Sequence, residues 1–82
     1  MDRNTVTQIV RDELKAAAPQ LPEGVDGSAE FKYDLDLDSL TVLEFVARLE
    51  FRFGIAVDDR DYDRLRSVDL VVDYLQESLV AV

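Results

Sequence analysis

The chain has 82 residues, 48% hydrophobic and 33% charged, with 9 Lys+Arg against 18 Asp+Glu and a net charge of −9. One domain covering residues 1–82 is expected, because a second core would have too little chain to build it, and a chain this short buries only roughly 60% of its unfolded surface, leaving little room for a walled catalytic pocket. The acidity excludes nucleic acid and anionic membrane as natural partners and favours basic protein surfaces, while the absence of Cys and His removes disulfides, a thiolate nucleophile, the commonest general base and the commonest zinc ligand.

Thr5-Val6-Thr7-Gln8 fits a capping box, so the first helix is predicted over about residues 5–17 with Thr5 as its N-cap. Val6, Ile9, Val10 and Leu14 form one apolar stripe, and Pro19 ends the helix. Residues 19–37 make a long connection holding both prolines and two of the three glycines. Its scattered Leu21, Val25, Phe31, Leu35 and Leu37 predict a loop pinned over the core, with room for a short helical turn. Asp38-Ser39 opens the next helix, which runs to Phe53 and stops at Gly54.

That helix carries two stripes. Val42, Phe45, Val46, Leu49 and Phe53 share one side; Leu40, Leu43, Ala47 and Phe51 share nearly the opposite one, where a surface helix is normally polar. Asp58 or Asp59 then caps a short helix over roughly 59–65, and Ser67 caps a last helix with Val68, Val71, Val72, Leu75 and Leu79 in line. No stretch alternates usefully as a strand. The expected fold is all-α: a four-helix bundle of three main helices and one short one. No apolar run approaches the roughly 18 residues of a membrane span, and Met1-Asp2-Arg3-Asn4-Thr5 opens without a signal-peptide pattern, so a soluble, cytoplasmic monomer is expected.

Three constellations bear on chemistry. Asp34, Asp36 and Asp38 have the opening spacing of a calcium loop, but Ser39 and Phe45 stand where the turn glycine and the closing carboxylate belong. Asp59, Asp61 and Asp63 fail alike, with Arg64 and Leu70 at those places, so no metal site is assigned. The same carboxylates lack a nucleophile paired with an activating base, so no catalytic residue is assigned and an enzyme ranks behind a binding or carrier role. Ser39 reads locally as a helix-opening residue whose hydroxyl satisfies orphan backbone N–H groups. The same position also suits an attached anion, since the free N–H groups and the helix dipole both point at it.

Asp34-Leu35-Asp36-Leu37-Asp38-Ser39-Leu40 resembles the phosphopantetheine attachment motif of acyl carrier proteins, whose core is Asp-Ser-Leu after an Asp-Leu-Gly-type segment. Glu44, Leu49, Glu50 and Phe53 fall where that family places acidic and apolar residues of its second helix. Gly54-Ile55-Ala56-Val57-Asp58 resembles its link to the short helix, Ser67-Val68 its opening of the last helix, and Asp73-Tyr74-Leu75 the closing turn. Two positions depart from the fatty-acid type: Asp36 replaces a usual Gly, and Val57 a common Pro. The Gly-Gly-Asp/His-Ser of peptidyl carriers is also missing.

The resemblance implies a non-catalytic carrier. A phosphopantetheinyl transferase, using coenzyme A and magnesium, would place 4′-phosphopantetheine on Ser39, flanked by Asp38 and Leu40, and acyl intermediates would ride as thioesters on the imported thiol. It points to a free-standing carrier of a polyketide or specialised acyl pathway. Two alternatives stay open: a peptidyl or aminoacyl carrier of nonribosomal synthesis, and a small acidic helical interaction module without a prosthetic group. The second helix becomes the recognition element for acyl-loading, condensing or modifying enzymes with basic docking surfaces, through Leu43, Glu44, Ala47 and Glu50. Residues 23–50 hold eight acids against Lys32 and Arg48, a balance suited to fast, weak encounters. A plainer reading packs Leu43 and Phe51 under the long loop.

Overall fold

A computed structural model describes residues 1–80 and shows three α-helices, α1 (Arg3–Ala17), α2 (Ser39–Phe53) and α3 (Val68–Val80), with a 3₁₀ segment, Asp59–Arg64, between α2 and α3. No strand occurs among the described residues. The all-α bundle of three main helices and one short one is therefore the observed architecture.

Helix α1 starts two residues earlier than the capping-box reading placed it. Asp2, not Thr5, is the N-cap: its Oδ1 accepts the Thr5 N–H at 2.8 Å, and its carbonyl accepts the Val6 N–H at 3.1 Å. A carboxylate at this position serves the orphan N–H groups and also answers the helix dipole, an advantage that the Thr5 hydroxyl lacks. The helix buries Val6, Val10 and Leu14, and ends as the Ala18 N–H bonds the Leu14 carbonyl ahead of Pro19.

Helix α2 has the predicted ends. Asp38 is the N-cap, and Gly54 closes the helix at φ 68°, a left-handed conformation that glycine adopts without a side-chain clash. Phe45, Val46 and Leu49 face the core.

The short helix is a 3₁₀ segment ending at Arg64 rather than a helix to residue 65. It buries no residue of its own, and six residues without a buried stripe cannot repay the nucleation of an α-helix. It is tethered instead. The Tyr74 hydroxyl donates to Asp61 at 3.0 Å, the Arg64 guanidinium lies 5.1 Å from the Tyr74 ring centroid, and Arg64 also pairs with Glu77. Ser67, buried, caps α3 by accepting the Leu70 N–H at 3.2 Å, as expected.

Helix α1 packs on both α2 and α3, whereas α2 and α3 nowhere approach within 8 Å, Cα to Cα, among the described residues. The long connection fills the space between them. Leu21, Phe31 and Leu37 are buried, with Val25 and Leu35 packed against the same core. Phe31 meets Phe45 edge to face, centroids 5.4 Å apart at 82°. Its N–H donates to the Arg66 carbonyl at 2.8 Å, and its own carbonyl accepts the Leu37 N–H at 2.8 Å. At the other end of the loop, Arg11 donates to the Val25 carbonyl at 2.7 Å, Lys15 donates to the Leu21 carbonyl, and the Asp69 N–H bonds the Gly27 carbonyl at 3.0 Å. The short helical turn allowed for in this loop appears as hydrogen-bonded turns between Glu30 and Leu35, not as a helix.

Asp36 stands out here. Its φ of 56° makes it the non-glycine residue with positive φ among those described. This gives a physical reason why glycine is usual at this place in the carriers the sequence resembles: the chain turns through a left-handed residue just before α2. Aspartate tolerates that region better than most side chains, yet still below glycine. Asp36→Gly should raise stability by up to about 1 kcal/mol, a few degrees in Tm, and Asp36→Val should lower it, because a β-branched residue is a poor occupant of that conformation. Thermal melts of the two variants beside the parent check both signs.

Candidate functional site

Capping decides the chemistry of Ser39. Asp38 Oδ1 accepts the Thr41 N–H at 2.8 Å, so the aspartate does the work that local sequence reading offered to the serine. Ser39 is the first residue of α2, exposed, and its hydroxyl makes no hydrogen bond among the described residues. A hydroxyl uncommitted to the fold is available for esterification. The N–H groups of the first turn and the helix dipole favour an anion at this end.

The three aspartates before it do not converge. Asp34 accepts the Glu30 N–H at 2.8 Å, Asp36 turns the backbone, and Asp38 caps α2. Among the described residues, no cluster of three or more acidic side chains is arranged to hold a metal ion.

Beside Ser39 lies an open groove of about 590 Å³, between the loop, the start of α2 and the 3₁₀ segment with the two residues after it. Phe31, Val42, Leu43, Tyr62 and Leu65 supply its apolar and aromatic lining, and Ser39 sits in its wall. An exposed, unpartnered hydroxyl opening onto a groove fits a flexible arm joined through a phosphodiester.

The outer face of α2 is bare. Leu40 is 77% exposed, Leu43 47% and Phe51 92%, and Ala47 is exposed between them. Phe51 stands clear of the loop, so the plainer reading fails there, whereas Leu43 is half-exposed and lines the groove beside Phe31 and Lys32 of the loop. Phe31 and Phe45 draw the loop against the inner side of α2, and the loop reaches as far round as the groove that Leu43 lines. At 100° per residue the four apolar side chains make one continuous seam, with Glu44 on one flank and Glu50 on the other.

The two glutamates are not equivalent. Glu44 is exposed and 3.5 Å from Arg48. Glu50 is half-buried, and its carboxylate accepts the Val57 N–H at 2.8 Å, tying down the link after α2. A residue that sequence reading missed lies behind this face. Glu13 of α1 pairs with Arg52 at 2.8 Å and Arg48 at 3.5 Å, so its one negative charge offsets part of the basic charge of α2. No local pattern announces that contact, because it spans 39 residues of chain.

Residues 4–75 match the family model described as "Phosphopantetheine attachment site". The chain belongs to the acyl carrier protein family. It is 38% identical over 78 residues to the acyl carrier protein of Exiguobacterium sp., covering 92% of this chain and 99% of that one. It is 34% identical over 82 residues to that of Rubrobacter xylanophilus, covering 99% and 100%. It is also 37% identical to the mitochondrial acyl carrier protein 2 of Arabidopsis thaliana, of whose length it spans 60%. Among solved structures it is similar to an acyl carrier protein from Enterococcus faecalis, with TM-score 0.71 and 34% identity, over 90% of this chain and 94% of that one.

As a member of this family the chain is a non-catalytic carrier, a substrate of phosphopantetheinyl transferase, and its cofactor is 4′-phosphopantetheine. It interacts with that transferase and with acyl-handling enzymes. No helix among its described residues is long and apolar enough to cross a membrane.

The carrier's caps give its acid response. The Thr41 N–H holds the Asp38 carboxyl below the usual aspartate range; the Thr5 N–H does the same for Asp2, and the Arg60 N–H for Asp58. The Ser28 hydroxyl and N–H lower Asp26. Each group binds its proton less readily folded than unfolded, so each contributes stability above the unfolded value of about 3.9 and loses it as pH falls through the folded value. The Tm should be level between about pH 7 and 5 and fall below about pH 4. Asn caps helices about as well as Asp but does not titrate there, so Asp38→Asn should keep the neutral Tm and show a shallower acid fall. Circular-dichroism melts from pH 7 to 3 test this.

Proposed function

We propose that Ser39 is the attachment point of 4′-phosphopantetheine, and that the carrier shuttles acyl thioesters among the enzymes of a polyketide or specialised acyl pathway in the cytoplasm, as a monomer. The observation that carries the proposal is the exposed Ser39 hydroxyl, left without a partner by the Asp38 cap and opening onto the groove. When bound, the group supplies a thiol that a chain without cysteine lacks. Ser39 and its neighbours do the rest. Asp38 fixes the start of α2, the first-turn N–H groups of α2 favour the phosphodiester charge, and Leu40 stands exposed beside the serine for an enzyme to grip.

Support for a specialised pathway comes from Asp36 and Val57, which replace residues usual in fatty-acid carriers. Asp36 occupies the left-handed position without disturbing the cap two residues on.

Helix α2 is the docking element. Leu40, Leu43, Ala47 and Phe51 offer apolar contact, Asp38 and Glu44 offer charge, and Glu13 offsets part of the Arg48 and Arg52 charge that would oppose a basic partner. Glu50 serves this surface less directly, since Val57 already engages its carboxylate. An exposed acidic rim speeds encounters more than it tightens complexes, which suits a protein that must leave each enzyme promptly.

Wild-type protein incubated with a transferase, coenzyme A and magnesium should gain about 340 Da by mass spectrometry, the added group replacing one proton. Ser39→Ala should melt like the parent and gain nothing; a mass gain in that variant would place the attachment elsewhere. Glu44→Lys should slow loading or partner turnover at low salt while moving Tm little, and the difference should shrink as salt is added. Equal rates for the two proteins at low ionic strength would remove Glu44 from the docking surface.

A further inference from the structure

Two cations in this acidic chain are left over. Of its 9 lysines and arginines, Arg3, Arg60 and Arg64 pair with acids, Arg48 and Arg52 share Glu13, and Arg11 and Lys15 bind loop carbonyls. Lys32 and Arg66 alone make neither an ion pair nor a side-chain hydrogen bond among the described residues, and both are exposed. Both also line the groove that holds Ser39 in its wall. Their proximity is built: the Phe31 N–H bonds the Arg66 carbonyl at 2.8 Å, which sets the loop carrying Lys32 against the residue preceding the Ser67 cap.

Acids are at hand but do not claim them. Glu30 and Asp63 line the same groove, yet neither comes within the 4.0 Å of an ion pair to Lys32 or Arg66. The groove thus has balanced charge in a chain of net −9, two bases and two acids, none of the four held in an ion pair among the described residues. Phe31, Val42 and Leu65 supply apolar lining to the same groove.

We infer that Lys32 and Arg66 form an anion-holding wall of this groove, which receives an anionic oxygen group borne by the arm on Ser39. Two groups have that chemistry: the phosphodiester of the arm itself, and the free carboxylate of a dicarboxylic acyl unit at its far end. The inference rests on Ser39 being the attachment point. It adds a preference among cargoes, since an uncharged alkyl acyl group offers these cations nothing.

The test uses wild-type protein, Lys32→Gln, Arg66→Gln and the double variant, each loaded by transferase from carbon-13-labelled malonyl-coenzyme A or acetyl-coenzyme A. Melts of each loaded protein check the fold, and mass spectrometry checks the loading. If the carboxylate is held, the malonyl carboxyl in the wild type titrates about half a pH unit below malonyl-pantetheine, roughly a threefold change in ionisation constant, and the double variant restores the free value. If the phosphodiester is held, the phosphorus-31 resonance shifts between wild type and variants equally in malonyl and acetyl forms. Either result supports the wall and names its ligand. Loaded proteins whose carbon and phosphorus signals ignore both substitutions overturn this inference alone. A wild-type chain that accepts no group overturns the reading of Ser39, and the ligand disappears with it.

Discussion

Phe31 is the residue on which the functional geometry depends. Its ring enters the core against Phe45, its N–H bonds the Arg66 carbonyl, and its carbonyl bonds the Leu37 N–H. One residue thereby links the long loop to α2, to the approach to α3, and to the segment just before Asp38. The groove beside Ser39 has Phe31 in its lining, between the loop, α2 and the 3₁₀ segment.

Around Phe31 the fold divides its polar groups between structure and function. Capping falls to Asp2, Asp38, Asp58 and Ser67, and loop anchoring to Arg11 and Lys15. The buried side-chain polar atoms among the described residues all have partners. Among the side chains left uncommitted, three groups bear on function: the Ser39 hydroxyl, the outer seam of α2, and Lys32 with Arg66. Each faces solvent within reach of the groove or of α2, and the family's carrier role needs an attachment atom and a gripping surface of this kind.

The sequence carried much of this. The stripes on α1, α2 and α3 named the buried faces, and Asp38, Gly54 and Ser67 named helix ends, because caps act over three or four residues and are legible locally. The error at the start of α1 arose where two local caps competed: Thr5 with Gln8 made a plausible box, but the Asp2 carboxylate lay within the same reach and prevailed. The 3₁₀ form of residues 59–64 was not legible, since a short polar segment takes the geometry that its neighbours leave it.

By itself the sequence determined the helix count, the inward faces, and the Asp-Ser-Leu head of α2, because periodicity and capping are properties of nearest neighbours along the chain. Only the tertiary structure decided that Phe51 stays uncovered, that Leu43 lines the groove, that Glu13 pairs with Arg48 and Arg52, and that Glu50 turns inward to Val57. It also decided that Lys32 and Arg66 line the same groove as Ser39. Apart from the Glu50–Val57 contact, those outcomes depend on residues far apart in the chain. They follow from how α1 and the loop pack on α2, and no local pattern encodes that packing.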